Sequence, residues 1–357
     1  MIKGNKGEWS EIYALFKLLG DKELHPGDIS INRIENLVYP ILQILRTEEA
    51  GNFSYSIEGD IVVISQAPER LRIPVATFKQ QAEYLLSQIQ TQRSTFEVPE
   101  TEAFMQSVFC KELKADSGSK TDITIIIHDP RTGFKPPLGF SIKSQLGSPS
   151  TLLNAGETTN FIYKITGINL SDEEISSIND ISGSRKIRDR ITQIIAQGGH
   201  LKFIKTQKQV FGNNLVMIDS RMPELLASVL LNFFTRAASS LEELITLTEN
   251  ENPLNFDTGN SHSFYHYKMK RFLTDIALGM MPSVVWTGQN DANGGYLIVK
   301  ENGDILCYHI YDKNEFENYL LANTKLETAS STKHKFGLIY KESGDLYIKL
   351  NLQIRFK

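Results

Sequence analysis

The chain has 357 residues, 41% of them hydrophobic and 22% charged, enough apolar material for one large core or two. A net charge of −4 excludes a molecule that holds nucleic acid by bulk positive charge, so any grip on phosphates must come from local patches. Cys110 and Cys307 stand too far apart in sequence to build a disulfide framework or a zinc site. The polar start MIKGNKGEWSE predicts no signal peptide, and no apolar run approaches ~20 residues, so the expectation is a cytoplasmic protein with no membrane segment.

Trp9, Ile12, Tyr13, Phe16 and Leu19 recur at helical spacing and predict an amphipathic helix over Glu8–Leu19. A second helix is expected over Arg33–Arg46. Gly51–Ile64 alternates apolar and polar residues and reads as a hairpin about Glu58-Gly59-Asp60. Helices come next at Thr77–Gln92 and at Pro99–Lys114, with proline at the start of the latter. Asp122–His128, with three consecutive isoleucines, is a strand ended by the turn residues Asp129 to Gly133. After Pro136-Pro137 a second strand runs over Gly139–Gln145. Helices are expected over Ser184–Gln197 and Pro223–Thr235, with Leu215–Ile218 as a short buried strand between them. The polar stretch ENENPLNFDT, 249–258, is the best linker candidate. Beyond it come a helix over Phe264–Leu278 and strands over Tyr296–Lys300, Ile305–Ile310 and Tyr347–Phe356. Helices and strands without regular βαβ alternation predict a mixed α/β (α+β) fold.

The two strands at Asp122 and Gly139 carry a chemical pattern. Phosphodiester hydrolysis needs a cation at the scissile phosphate and a base or positive group near the attacking oxygen. Hard Mg²⁺ takes one or two carboxylates and water. An acid at a strand start, followed by a strand bearing an acid and a lysine two residues apart, aims all three at one phosphate, because a two-residue step returns to the same face. Here Asp122 opens the first strand. On the second, Ser141, Lys143 and Gln145 share one face, with Phe140 and Ile142 on the other. The hairpin makes the strands neighbours, so Asp122 and Lys143 can meet. The plainer alternative is a surface hairpin that happens to carry an acid and a lysine.

Ser141 occupies the usual place of the second acid and brings no charge to a metal. Glu11 is the first candidate to compensate. Lys6-Gly7-Glu8-Trp9-Ser10-Glu11 looks like the Gly-x-x-x-Glu start of resolvase-like nucleases, in which a first-helix glutamate joins the metal site; an exposed helix acid is the alternative. Gln145 is placed to orient water or phosphate, and Glu102 is a weaker candidate acid.

Residues 333–357 hold six basic and two acidic side chains, a surplus of four positive charges that suggests an anionic partner. Within them Lys349, Asn351, Gln353 and Arg355 alternate with apolar residues and read as a DNA-facing strand surface, with Lys333 and Lys335 nearby. A solvated edge strand with protective charge is the alternative. Arg188-Asp189-Arg190 is similar to the Arg-(Asp/Glu)-Arg arrangement with which some CCGG-cutting enzymes read guanine and cytosine; a charged helix surface is the plainer reading. Asn154 lies in the polar loop 148–160 after the lysine strand. The seven histidines show no convincing metal spacing, and His262 and His266 sit among tyrosines that suggest packing.

The segments GNKGEWSEIYALFKLL, SKTDITIIIHD, GFSIKSQLGSPSTLLNAGETTNFIYKI, ENPLNF, ALGMMPSVVW, NGGYLIVKENGDILCYHIYD and KLNLQIRFK resemble the HpaII family of restriction endonucleases, from Gly4 to Lys357. The resemblance implies a restriction-endonuclease-like PD-(D/E)xK core and Mg²⁺-dependent cleavage of double-stranded DNA at a short palindrome, with CCGG suggested, leaving 5′-phosphate ends. It places Asp122 and Lys143 in the nuclease motif, makes Ser141 a tolerated variant, and implies a homodimer on the palindrome and a cognate DNA methyltransferase in the same cell. The expected organisation is a nuclease domain over 1–250, with its core about 95–235, and a β-containing recognition region over 251–357. Two other readings stay open: a structure-selective repair or junction nuclease, and, because of Ser141, a catalytically inactive sequence-specific DNA-binding protein.

Overall fold

Helix α1 (Lys6–Asp21) starts at a reciprocal cap: the Asn5 side chain accepts from the Glu8 N–H at 3.1 Å, and Glu8 accepts from the Asn5 N–H at 2.9 Å. Such a cap contributes ~1 kcal/mol. The stripe predicted from spacing, Trp9, Ile12, Tyr13, Phe16 and Leu19, is wholly buried. Lys22, at φ 66°, turns the chain out of the helix and donates its N–H to the Leu18 carbonyl. The computed structural model describes residues 1–48, 51–66, 69–113 and 120–357. They form two units, one of 1–150, 277–279 and 290–319, the other of 151–276, 280–289 and 320–357.

In the first unit α1 leads into β1 (Glu23–Pro26), β2 (Tyr39–Glu48), β3 (Gly51–Glu58), β4 (Ile61–Gln66), β5 (Glu69–Pro74), α2 (Val75–Thr91), α3 (Pro99–Ser107), β6 (Ile123–Ile127) and β7 (Pro137–Ser144). The β3–β4 hairpin turns at the predicted Glu58-Gly59-Asp60, with Gly59 at φ 63°. The helix expected over Arg33–Arg46 is overturned. Its second half is β2, bonded between β6 and β3 with Tyr39, Ile41 and Ile44 buried. Pro40 would break a helix there, whereas at a strand start it costs little. Helix α3 ends at Ser107, short of its predicted extent, whose last residue, Lys114, lies outside the described residues.

The second unit begins with β8 (Thr151–Leu153), β9 (Asn160–Thr166), α4 (Asp172–Asn179), α5 (Lys186–Ala196), β10 (His200–Thr206), α6 (Gln209–Ile218), α7 (Met222–Thr235), α8 (Leu241–Glu251) and α9 (Phe264–Leu278). The chain then gives the first unit β11 (Gly295–Val299) and β12 (Ile305–His309). After α10 (Lys313–Ala322) it completes the second with β13 (Thr324–Leu326), α11 (Ser331–His334), β14 (Ile339–Glu342), β15 (Asp345–Asn351) and β16 (Ile354–Phe356). The mixed α+β class is as expected. No helix among the described residues is long and apolar enough to cross a membrane.

Among the described residues the first unit is built on a nine-stranded sheet ordered β1-β12-β11-β7-β6-β2-β3-β4-β5. Strand β7 is antiparallel to β6 but parallel to β11, which sets Ser141 opposite Tyr296 and Lys143 opposite Ile298. The approach of β11 depends on glycine. A Cβ on Gly294 would lie 2.9 Å from the Gly139 carbonyl oxygen, and one on Gly295 (φ 107°) 2.0 Å from that of Tyr308.

The second unit has a sheet ordered β10-β9-β15-β14 and a small one ordered β13-β16-β8. Leu215–Ile218 is the end of α6 and not a strand; Phe211 and Leu215, four residues apart, bury one helix face. The division also does not fall at 250. Glu249 to Glu251 complete α8, and Asn252 (φ 45°) anchors the turn beyond it. The Asn252 side chain donates to Phe256 O at 2.9 Å and accepts from Phe256 N at 3.0 Å and from Tyr265 Oη at 2.9 Å. The polar composition there serves a tight turn, not a linker. The strand expected over Tyr347–Phe356 is two strands in different sheets, broken where Leu352 N donates to Thr159 O at 3.0 Å.

Candidate active site

Asp122 stands in the turn just before β6, fixed by its N–H to the Phe140 carbonyl at 2.9 Å. One of its carboxylate oxygens, Oδ2, accepts the Ile142 N–H at 2.6 Å and the Ser141 hydroxyl at 3.0 Å. Two residues along β7, Lys143 Nζ donates to Ser141 Oγ at 2.7 Å. The predicted neighbours therefore meet through a hydroxyl: ammonium to Ser141, Ser141 to carboxylate. Oδ1 of Asp122 takes no part in either bond. Ser141, 2% exposed, stands where the common pattern has an acid, and it links the two charged groups.

Helix α1 brings Glu11 to the same place. Ser10 shares a hydrogen bond of 2.8 Å with Ser144 at the end of β7, and Glu11 lies close enough to Lys143 to act on its charge. Burial pushes the Lys143 ammonium below the ordinary lysine range, while the charges of Asp122 and then Glu11 oppose the shift. Gln145 comes next on the chain after β7, half-buried, its N–H bonded to Val299 O at 2.8 Å. Glu11, Asp122, Ser141 and Lys143 are thus one cluster on the first unit, with Gln145 just beyond it on the chain. Glu102 serves elsewhere, accepting the Ile2 N–H at 2.8 Å.

Two residues of this site have no signal in the sequence. Tyr296, 1% exposed, lies under Lys143, whose Nζ is 5.1 Å from the ring centroid. Lys120 precedes Asp122 by two residues; burial and then the charge of Lys143 lower its pKa, so two lysines flank one acid.

The residues predicted to contact DNA lie on the second unit and divide in role. Arg190, 5% exposed, donates to the carbonyls of Gly337 (2.7 Å), Asn179 (2.5 Å) and Ile181 (2.7 Å), which holds the fold and leaves no fork for a guanine. Arg188 bonds the Arg236 carbonyl and stacks over Phe233 at 4.8 Å; only Asp189 of the triplet is exposed. Arg190 as a base reader is thereby corrected, while Arg188, half-buried, holds only its Nη1 on an internal carbonyl.

Asn351 is also corrected. It is 1% exposed and donates to Gly156 O at 2.8 Å, Thr159 Oγ1 at 3.2 Å and Asn160 Oδ1 at 2.7 Å. Asn351→Ala is expected to cost about 2–3 kcal/mol of stability by leaving buried acceptors unpaired, read as a lower midpoint in urea unfolding. A base-reading asparagine would leave that midpoint unchanged.

Gln353 lies between β15 and β16, and Arg355, on β16, is paired with Glu327 at 2.8 Å. Neither shares a sheet face with Lys349, whose Nζ lies 5.4 Å from the Tyr340 ring centroid. Lys333 and Asn154 are exposed, and Lys335 pairs with Glu157 at 2.7 Å. His266 bonds Glu249 at 2.6 Å. No group of three or more His, Cys, Asp or Glu among the described residues is placed to hold a metal.

An acid at the start of one strand and a lysine on its neighbour are thus joined through a hydroxyl in an α+β fold, and comparison with known proteins gives the class of the chain: a family model described as HpaII restriction endonuclease matches residues 5–356. Over 359 aligned positions the chain is 46% identical to the type II restriction enzyme HpaII of Haemophilus parainfluenzae, covering 99% of each protein. The chain belongs to the HpaII restriction endonuclease family. No solved structure matches it.

Proposed function

We propose that this chain is a Mg²⁺-dependent type II endonuclease with PD-(D/E)xK chemistry that hydrolyses double-stranded DNA at a short palindrome, CCGG being the expected site, and leaves 5′-phosphate ends. The observation that carries this reading is the chain of contacts from Lys143 Nζ through Ser141 Oγ to Asp122 Oδ2, at 2.7 and 3.0 Å.

The donors fit the cation. Asp122, Glu11 and Ser141 offer only oxygen, with no thiolate or imidazole in the cluster. One or two carboxylates with water suit Mg²⁺, whereas a soft metal would call for sulfur or nitrogen. Asp122 and Glu11 would hold the ion, which when bound polarises the phosphate and makes water a stronger acid. Lys143 offsets charge developing on the phosphate and orients the attacking water. Ser141 fixes the distance between acid and lysine, and Gln145 orients water or phosphate. A palindrome calls for a two-fold homodimer, and the host's own sites call for a cognate methyltransferase in the same cytoplasm.

The test is digestion of a sequenced plasmid with purified protein, in Mg²⁺ and in EDTA. The expected result is discrete fragments mapping to one palindrome, absent in EDTA. A plasmid left intact in both would favour a DNA-binding protein with a dead site, and cutting confined to branched substrates would favour a junction nuclease.

A further inference from the structure

Strands β14 and β15, with α5 and α11, border an open cavity of about 520 Å³ on the second unit. Its wall carries four cations, Lys186, Arg190, Lys335 and Lys349, and the hydroxyl residues Ser331 and Thr332, with no acidic residue in the lining. Like charges gathered around one concavity repel one another, and they do so more where solvent is partly excluded. The arrangement is nevertheless built. Asn179 bonds both the N–H (2.8 Å) and the carbonyl (3.0 Å) of Ile339 and so fixes β14 at the pocket edge. The Gly337 N–H bonds Lys349 O at 2.8 Å, while the Gly337 carbonyl takes Arg190 Nη1.

Arg190 supplies the second observation. Its Nη atoms are occupied by three carbonyls, but its buried Nε–H has no hydrogen-bond partner. The three carbonyls are neutral, so the guanidinium charge stands in the wall of the basic cavity with no acidic residue in the lining to offset it. Of the lysines, Lys335 is paired with Glu157, Lys349 lies over the Tyr340 ring, and Lys186 makes no ion pair among the described residues. Lysine ammonium groups and hydroxyls around one small volume, beside a buried guanidinium charge, are the donor set of a phosphate site.

We propose that this pocket seats one backbone phosphate of the DNA duplex. It would act as a positioning contact that fixes the register of the second unit on the substrate without reading its sequence. The proposal rests on the DNA-cleaving reading above and adds Lys186, Ser331 and Thr332 to it. The β15 lysine then works from a pocket and not from an open strand face.

The test is equilibrium binding of the full chain to a 30-base-pair duplex in EDTA, measured across a salt series. Lys186→Gln/Lys349→Gln is expected to weaken binding on the order of tenfold and to flatten the plot of log K against log salt by about 0.9, one phosphate's worth. Lys186→Arg/Lys349→Arg is expected to restore the slope. Thermal melting checks that each variant folds, and the single variants carry the test should the double one not fold. An unchanged slope for the glutamine variants, with the wild type binding normally, overturns the pocket alone. Failure of the wild type to bind any duplex at low salt overturns the DNA reading itself. If inorganic phosphate binds the wild type and not the variant while DNA binding is unaltered, the occupant is a free anion and the proposal falls.

Discussion

Lys143→Ala is expected to lower the single-turnover cleavage rate by about a thousandfold or more while duplex affinity in EDTA changes only a few-fold, because the lysine is asked to supply ~4 kcal/mol to the transition state alone. The geometry explains why little can replace it. Lys143 is half-buried, set over the Tyr296 ring at 5.1 Å and bonded to Ser141 Oγ at 2.7 Å. That position is costly for a cation and persists because Asp122 and Glu11 counter the burial. Alanine removes the ammonium bonded to Ser141, leaving Lys120 as the other lysine beside the acid, and no other side chain of β7 carries a positive charge. Asp122→Ala is expected to lose cleavage to a similar degree. The two losses should not add, since in the proposed reaction both residues act on one phosphate. Cutting by Lys143→Ala within tenfold of the wild type would place the chemistry elsewhere.

The features legible in the sequence are those with local signals. Helix α1, the β3–β4 hairpin and the Asp122/Lys143 hairpin each announce themselves within about two dozen residues or fewer, through spacing, a turn glycine or a two-residue step. Strand β2 does not, because Ile41, Ile44 and their neighbours fit a helical period as well as a buried strand; its neighbours in the sheet, β6 and β3, decide the matter. Tyr296 reads as the start of a strand, but its place under Lys143 depends on a parallel pairing of β11 with β7 that joins segments more than a hundred residues apart. No local pattern encodes that pairing.

Polar residues mislead in a consistent way. Arg190 and Asn351 look like recognition residues in a basic stretch or an alternating strand, yet each is buried and spends its donors on the unit's own carbonyls and side chains. Sequence shows the donor and not its acceptor. The same limit hides the role of Ser141, which reads as a missing acid and acts as the bridge between two charges. The family assignment needs none of this, since it rests on identity along nearly the whole chain.

A second large effect is expected far from the chemistry. Glu48→Ala should cost about 3–5 kcal/mol of stability, measured as a fall in the urea midpoint at neutral pH. Arg46 and Glu48, two residues apart on β2, form an ion pair with side chains 7% and 1% exposed. The carboxylate does more than meet the guanidinium: its Oε2 accepts the N–H groups of Lys111 at 3.0 Å and Glu112 at 3.1 Å, while Arg46 Nη2 donates to the Glu112 carbonyl. The pair therefore ties the segment after α3 to the sheet, next to Cys110, whose thiol burial pushes up to about 12. Alanine would leave a buried guanidinium and two backbone donors unpaired together. Replacing both Arg46 and Glu48 with apolar residues should not recover the wild-type midpoint, although many isolated buried ion pairs tolerate that exchange, because the Lys111 and Glu112 N–H groups would still lack an acceptor. Glu48→Gln keeps a carbonyl oxygen in place and should fall between the two. A loss below ~1 kcal/mol for Glu48→Ala would mean that water reaches this corner of the sheet and that the pair behaves as a surface contact.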